Sequence, residues 1–181
     1  MTGVQTCALP ISFLIGHNLE KLADLVKSRG LDANFRFIPY QERAVLKYSL
    51  GVPDLHWLSL KPELDGLIVP SKFYGIAAAG RPIIAITAAD GEIANLVRDH
   101  NCGRVIEPGQ SEKLAATILE LSRNPEQLAT MGRNARAMLD AQFTRRAALR
   151  RWSAVLDEVG ITLDPHAADS ENAPSHLAHP S

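Results

Sequence analysis

The chain has 181 residues, a formal net charge of −1, 22% charged residues and 46% hydrophobic ones. That length carries one domain with a real core, and the balanced charge argues against a nucleic-acid binder that works by bulk electrostatics. No apolar run reaches the roughly 18 residues of a membrane span, and the two cysteines, Cys7 and Cys102, form neither a CxxC pair nor a disulfide framework, which fits a reducing cytosol.

The first residues, MTGVQTCALPI, lack the basic flank and long apolar stretch of a signal peptide. They resemble the conceptual translation of a sequencing-library adapter. Residues 1–11 are therefore expected to be non-native, with Cys7 carrying no meaning.

SFLIG (Ser12–Gly16) is a short apolar run ending in Gly. NLEKLADLVKSRG follows, with Leu19, Leu22, Leu25 and Val26 at helical spacing, Asn18 as N-cap and Gly30 as stop. NFRFIPY alternates like a strand, QERAVLKYSLG is a helix closed by Gly51, and LHWLSL is another strand, with His56 and Trp57 read as core. After the loop KPELDG, VPSKFYGIAAAGRP ends a strand-like run at Pro70 and opens a small-residue helix. PIIAIT (Pro82–Thr87) is a buried strand, DGEIANLVRDHNCG a helix with a glycine stop, and GRVIEPG the last strand. Three helices follow, Ser111–Arg123, Pro125–Asp140 and Thr144–Val159. Arg145, Arg146, Arg150 and Arg151 gather on the last one and read as a solvated face. Residues 161–181, rich in Pro, Ala, His and Ser, are expected to be a disordered tail. Its His166, His176 and His179 are too irregularly spaced for a metal site, and His100 with Cys102 is no metal pair.

Strands alternating with helices between short Gly/Pro breaks predict a Rossmann-like parallel sheet flanked by helices, an α/β fold with extra C-terminal helices. Ligands of such sheets bind beyond the carboxyl ends of the strands, at the loops that open the helices. Four loops qualify: Gly16-His17-Asn18, Pro39-Tyr40-Gln41, Pro70-Ser71-Lys72 and Ala89-Asp90-Gly91-Glu92. The third joins a helix N-terminus, with about half a positive charge and unpaired N–H groups, to a capping hydroxyl and a full cation. Ala77–Ala79 let that helix lie close to the sheet. The set suits a phosphate or diphosphate. It equally describes a plain cap with a solvated lysine, and spacing alone leaves both open. Asp90, Gly91 and Glu92 can cap a helix or accept hydrogen bonds from sugar hydroxyls. Tyr40 can stack on a base or merely pack, and His17 can touch a donor or sit on the surface. GxGxxG, GxxxxGK[ST], Asp-x-Asp and Gly-x-Ser-x-Gly are all absent.

The order FLIG, NFRFIPYQ, KPELDGLIVPSKFYGIAAAGRPIIA, GEIANLV, CGRVIEPG, LAATILELSRNPEQLATMGRNAR, FTRRAALRRW resembles the C-terminal domain of a family 4 glycosyltransferase of the GT-B fold. The likeness covers about Ser12 to about Val159 and is of the kind found in bacterial exopolysaccharide, colanic-acid and O-antigen synthesis. PSKFYGIAAAGRP and MGRNAR are specific in combination. The resemblance implies a donor-binding domain over residues 12–160, N-terminally truncated and without the acceptor domain and its own first strand and helix. It places Ser71 and Lys72 at the donor diphosphate, Tyr40 and Gln41 by the nucleobase, and Glu92, Gly91, Gly16 and His17 by the donor sugar or ribose. It implies retention of anomeric configuration, no cofactor and no metal, a UDP-sugar as first expectation and a GDP-sugar as second. The acceptor is then a glycan or lipid-linked sugar held by the missing domain, and the location is the cytoplasm, peripheral to the inner face of the membrane. No catalytic residue is assigned.

One position departs from the family. Where many relatives carry a ribose-gripping Glu this chain has Gly75, and Glu63 and Asp65 do not fall at the spacing of the family's Glu pair. Either Glu92 anchors the ribose instead or binding is weaker, and no ribose ligand is assigned. Gly75 and the missing acceptor domain admit a second reading, a non-catalytic nucleotide or phosphosugar module. A nucleotide-sugar epimerase carries different loop motifs, and MGRNAR speaks for the transferase.

Overall fold

The computed structural model describes residues 12–15, 19–38, 42–68 and 70–161. Strands and helices alternate as β1 (Ser12–Ile15), α1 (Glu20–Ser28), β2 (Phe35–Ile38), α2 (Arg43–Gly51), β3 (His56–Ser59), α3 (Ser71–Ala78), β4 (Ile83–Ile86), α4 (Glu92–Asp99) and β5 (Gly103–Ile106). Three helices follow, α5 (Ser111–Ser122), α6 (Pro125–Gln142) and α7 (Arg145–Glu158). Every strand pair is parallel, as expected. The strands form two sheets, however: β1 pairs with β2, and β3-β4-β5 form a triplet with β4 at its centre.

The triplet is built on β4. Ile83, Ile84 and Ala85 are fully buried because the strand is covered on both faces. On one face Ile84 and Ile106 pack with Leu121 of α5 and Met131 of α6, extended by Leu55, Ile86, Leu114, Ile118 and Leu128. Helices α3 and α4 lie against the strands they connect, α3 on β3 and α4 on β4 and β5. They bury Phe73, Ile76 and Ala77 from α3 and Ile93, Ala94 and Val97 from α4, apolar positions at helical spacing.

The MGRNAR stretch lies in α6 and serves as a clamp. A methyl group at Gly132 would run into the backbone carbonyl of Gly80, so the glycine permits backbone-to-backbone approach. Two residues on, Asn134 Nδ2 donates to the Asn101 carbonyl beyond α4 (3.1 Å). Arg136 Nη1 donates to the Ala78 carbonyl at the end of α3 (2.9 Å). Met131, Ala135 and Met138 are buried on the same helix. The motif thus ties down the C-terminal ends of α3 and α4.

Three local expectations are corrected. Helix α4 is stopped by Asn101 at φ +49, not by a glycine. Gly103 begins β5, where any side chain would collide with the Ile83 carbonyl. Helix α1 has Leu19 at its N-cap position, without a side-chain cap, while Asn18 lies outside the described residues. Trp57, expected in the core, is 42% exposed, because nothing among the described residues covers it. His56 is half-buried: its Nε2 lies 2.9 Å from the Leu50 carbonyl at the end of α2, so that nitrogen donates. Burial pushes the imidazole below its ordinary value, the Leu50 bond opposes this, and the Arg81 charge adds to the fall.

A first compact unit ends at Leu139 and a second begins at Asp140. Within the second, the Thr144 hydroxyl accepts from the Ala147 N–H (3.2 Å) and caps α7. Arg145, Arg146, Arg150 and Arg151 are exposed, and the Arg151 guanidinium lies 5.9 Å from the Phe143 ring centre. No helix among the described residues is long and apolar enough to cross a membrane.

Candidate functional site

The candidate residues of the sequence that lie among the described residues gather where α3 and α4 begin. Phe73 anchors α3 from below, fully buried. With Phe73, Ile76 and Ala77 turned inward, helical phase leaves Ser71 and Lys72 in solvent on the first turn. Ser71 is not the cap. Pro70 occupies that position and its carbonyl accepts the Phe73 N–H (2.9 Å), so Ser71 is the first residue of the helix. No side chain caps α3, and of its first-turn N–H groups that of Phe73 is taken by the Pro70 carbonyl.

Helix α4 opens in the same way. Gly91 is its N-cap residue, no side chain caps it, and Glu92 is exposed in its first turn. Gly91 is buried because the Asp65 carboxylate lies against it, and a methyl group at position 91 would overlap that carboxylate. Asp65 thus arrives at the N-terminus of α4, where a negative charge is favoured by the helix dipole.

Tyr74, in the first turn of α3, feels the charge of Glu92 at the start of α4. Its ring stands edge-on to Phe73 with centres 5.3 Å apart. Burial pushes its hydroxyl above the ordinary value, and the Glu92 charge pushes it further. Ser71, Lys72 and Tyr74 of α3 therefore share a rim with Asp65, Gly91 and Glu92. Tyr74 was not singled out from the sequence. Its signal was faint, one aromatic beside the buried Phe73 in the turn that begins with Lys72.

Two buried polar atoms among the described residues lack a hydrogen-bond partner, Thr87 Oγ1 just after β4 and Gln110 Oε1 just before α5. Both lie at the carboxyl end of the sheet. A buried group left unpaired costs about 1–3 kcal/mol.

Gly75 faces α2. A methyl group there would lie 3.2 Å from Leu50 Cδ1, so any side chain at this position starts against α2. Gly16, His17, Tyr40 and Gln41 lie outside the described residues. Among the described residues no three His, Cys, Asp or Glu side chains gather to hold a metal ion. A groove of about 400 Å³ runs along the outer edge of β5, lined by Arg98, Arg104, Glu107 and Lys113 among others, and a smaller one lies between α2 and α3. Neither is lined by Ser71, Lys72 or Glu92.

Residues 11–138 match the family model described as glycosyl transferases group 1. The probable glycosyltransferase WbjE of Pseudomonas aeruginosa is 27% identical over 136 residues, covering 74% of this chain and 34% of WbjE. The chain therefore spans about a third of that relative's length. Among solved structures, Anabaena Alr3699/HepE in complex with UDP-glucose aligns with a TM-score of 0.67 at 20% identity, over 84% of this chain and 43% of HepE. Sucrose-phosphate synthase from Thermosynechococcus elongatus aligns with a TM-score of 0.67 at 18% identity, over 82% of this chain and 38% of the synthase. At such identities the likeness is one of fold, the α/β architecture of GT-B glycosyltransferases.

Proposed function

Because the chain belongs to the glycosyl transferases group 1 family, we propose that it is the donor-binding part of a retaining family 4 glycosyltransferase. The parent enzyme moves a sugar from a nucleotide-sugar to a cell-surface polysaccharide, such as an exopolysaccharide, or to a lipid-linked acceptor. The observation that supports this reading is the pair of helix starts: Ser71 and Lys72 are exposed on the first turn of α3, which no side chain caps, and Glu92 is exposed on the likewise uncapped start of α4.

The donor diphosphate docks on the N–H groups of α3, with the Ser71 hydroxyl and the Lys72 ammonium as side-chain donors. When the bond from the anomeric carbon to the diphosphate oxygen breaks, negative charge grows on the leaving phosphate. Preorganised donors at that place are worth about 3 kcal/mol each. Glu92, beside Gly91, accepts from the hydroxyls of the donor sugar or ribose, with Gly16 and His17 on the same side. Tyr40 and Gln41 sit by the base. UDP is the first carrier to test, as the UDP-glucose complex of HepE suggests, and GDP the second. The acceptor is held by a domain outside this chain, which by itself transfers no sugar. The full protein works in the cytoplasm at the inner face of the membrane. The competing reading, a module that binds without reacting, drew on Gly75. Since that position meets Leu50, the missing carboxylate does not distinguish the two.

Calorimetric titration of the chain with UDP and GDP tests the site. Lys72→Ala removes a charge-assisted contact of about 1.5–3 kcal/mol, a loss of roughly ten- to a hundred-fold in affinity. Equal affinity of variant and parent would remove Lys72 from the site. Sugar turnover by this polypeptide alone would overturn the claim that it is only the donor half.

A further inference from the structure

Strand β5 is an edge. It pairs with β4 on one side, and no strand among the described residues pairs with the other. The bonds to β4 fix which backbone groups are spent. The Ile83 N–H donates to the Cys102 carbonyl (3.2 Å) and the Thr87 N–H to the Ile106 carbonyl (3.1 Å). Alternation along the strand then turns the N–H and C=O of Gly103 and Val105 away from β4. Arg104 agrees with that direction, for its Nη1 donates to the outward Gly103 carbonyl (3.3 Å).

The groove of about 400 Å³ lies along this edge, with Gly103 and Val105 in its lining. Its charge is one-sided. Helix α4 supplies Arg98, β5 supplies Arg104 and the first turn of α5 supplies Lys113, against the carboxylate of Glu107. The whole chain has a net charge of −1, so the cationic excess is local. Arg98 and Lys113 are exposed and form no salt bridge among the described residues. Arg104 has Glu120 of α5 at 3.9 Å.

Open edges are normally short, charged or covered. Guarding an edge needs only that a charge stand on it. Here the cations come from three elements and surround a space that stays open. A second copy of the chain would set those cations against themselves, because a two-fold contact repeats the same patch and like charges across a strand pair repel. A small anion would meet the cations but leave the backbone ladder unpaired.

We propose that the outer edge of β5 is a docking site for an acidic peptide segment of a partner protein, which joins the β3-β4-β5 triplet as a fourth strand. Its backbone bonds to the N–H and C=O of Gly103 and Val105, and its carboxylates pair with Arg98, Arg104 and Lys113. On docking, Arg104 exchanges the Gly103 carbonyl for a carboxylate, and a partner N–H takes its place. Arg98 Nη2 also donates to the Ala89 carbonyl, so the docking edge and the turn that opens α4 share one side chain. The docking rests on the edge and its charges, not on the donor reading.

The test uses two blocked octapeptides, one alternating Glu and Thr, the other alternating Lys and Thr. With the Glu-Thr peptide, titration should saturate, and amide exchange at Gly103 and Val105 should slow by roughly ten-fold or more. The Lys-Thr peptide should do neither. Arg98→Glu combined with Lys113→Glu should weaken the Glu-Thr peptide by roughly ten- to a hundred-fold. Val105→Pro removes an N–H that β4 does not use and should weaken it by about five-fold; if that variant does not fold, exchange at Gly103 and Val105 in the parent decides. Equal binding of the two peptides would refute the charge match, and binding with both amides left open would refute strand addition. No saturation at millimolar peptide would show that the cations only guard the edge. Displacement by equimolar inorganic phosphate would make the groove an anion site. Sedimentation at twice the monomer mass, with both amides protected in the free chain, would name a second copy as the occupant. Each of these results overturns the proposal.

Discussion

Gly132→Ala isolates the clamp of α6. In a free helix the change is favourable, since Ala exceeds Gly by about 1 kcal/mol in helix propensity. Here the added methyl meets the Gly80 carbonyl, a backbone atom that cannot rotate aside like a side chain. Helix α6 must retreat. Retreat loosens Met131, Ala135 and Met138 on its buried face, and overpacking of this kind costs about 1–3 kcal/mol. It also stretches the bonds from Asn134 to Asn101 and from Arg136 to Ala78, each worth about 1 kcal/mol. Set against the gain in propensity, the net expectation is a loss of about 2–4 kcal/mol. With a urea slope of about 2 kcal/mol per molar, the midpoint followed by far-UV circular dichroism should fall by about 1–2 M. A midpoint equal to or above that of the parent would show that α6 does not press on Gly80, and the clamp would be refuted.

Three further outcomes follow from the same contacts. Burial holds the folded His56 below its ordinary value, so below about pH 6.5 the unfolded chain binds a proton that the folded one refuses, and stability drops as pH falls; His56→Gln, which can still donate to Leu50, should flatten the fall in urea midpoint between neutral and mildly acidic pH, and an unchanged fall would clear His56 of it. Gly75→Glu must displace Leu50 and should lower stability by about 1–3 kcal/mol without tightening UDP, whereas a tighter UDP complex would show that the side chain reaches the donor. Cys102 is buried, and burial pushes its thiol up to about 11; in a Cys7→Ser background it should react with a thiol reagent only as fast as the chain unfolds, and prompt labelling of the folded protein would contradict that burial.

The parallel α/β order was legible because glycine and proline punctuate short apolar runs; the strand-like run expected to end at Pro70 is instead a turn-rich, exposed connection, since β3 stops at Ser59 and Leu67 and Ile68 find no cover. What escaped depended on partners distant in the chain. A strand pattern tells which face Trp57 is on but not whether a helix lies over it. Gly132 reads as a mild helix weakener until Gly80 is seen beneath it. The charge that Glu92 exerts on Tyr74 arises only from the folded placement of α3 and α4. Ser71 reads as a cap by residue type, yet Pro70 takes that position because a proline, lacking an N–H, loses nothing at the mouth of a helix.

Helices α3 and α4 are each held at the end remote from the rim, through the carbonyls of Ala78 and Asn101. A guest arriving at the other end can therefore pull neither helix lengthwise without breaking its tether. Whatever accommodation it provokes has to come from swivelling of long side chains such as Lys72 and Glu92, or from the segments between strand and helix. The two helices behave as posts set in a floor, and selectivity among guests can drift by exchanging what is mounted on top while the foundations stay as they are.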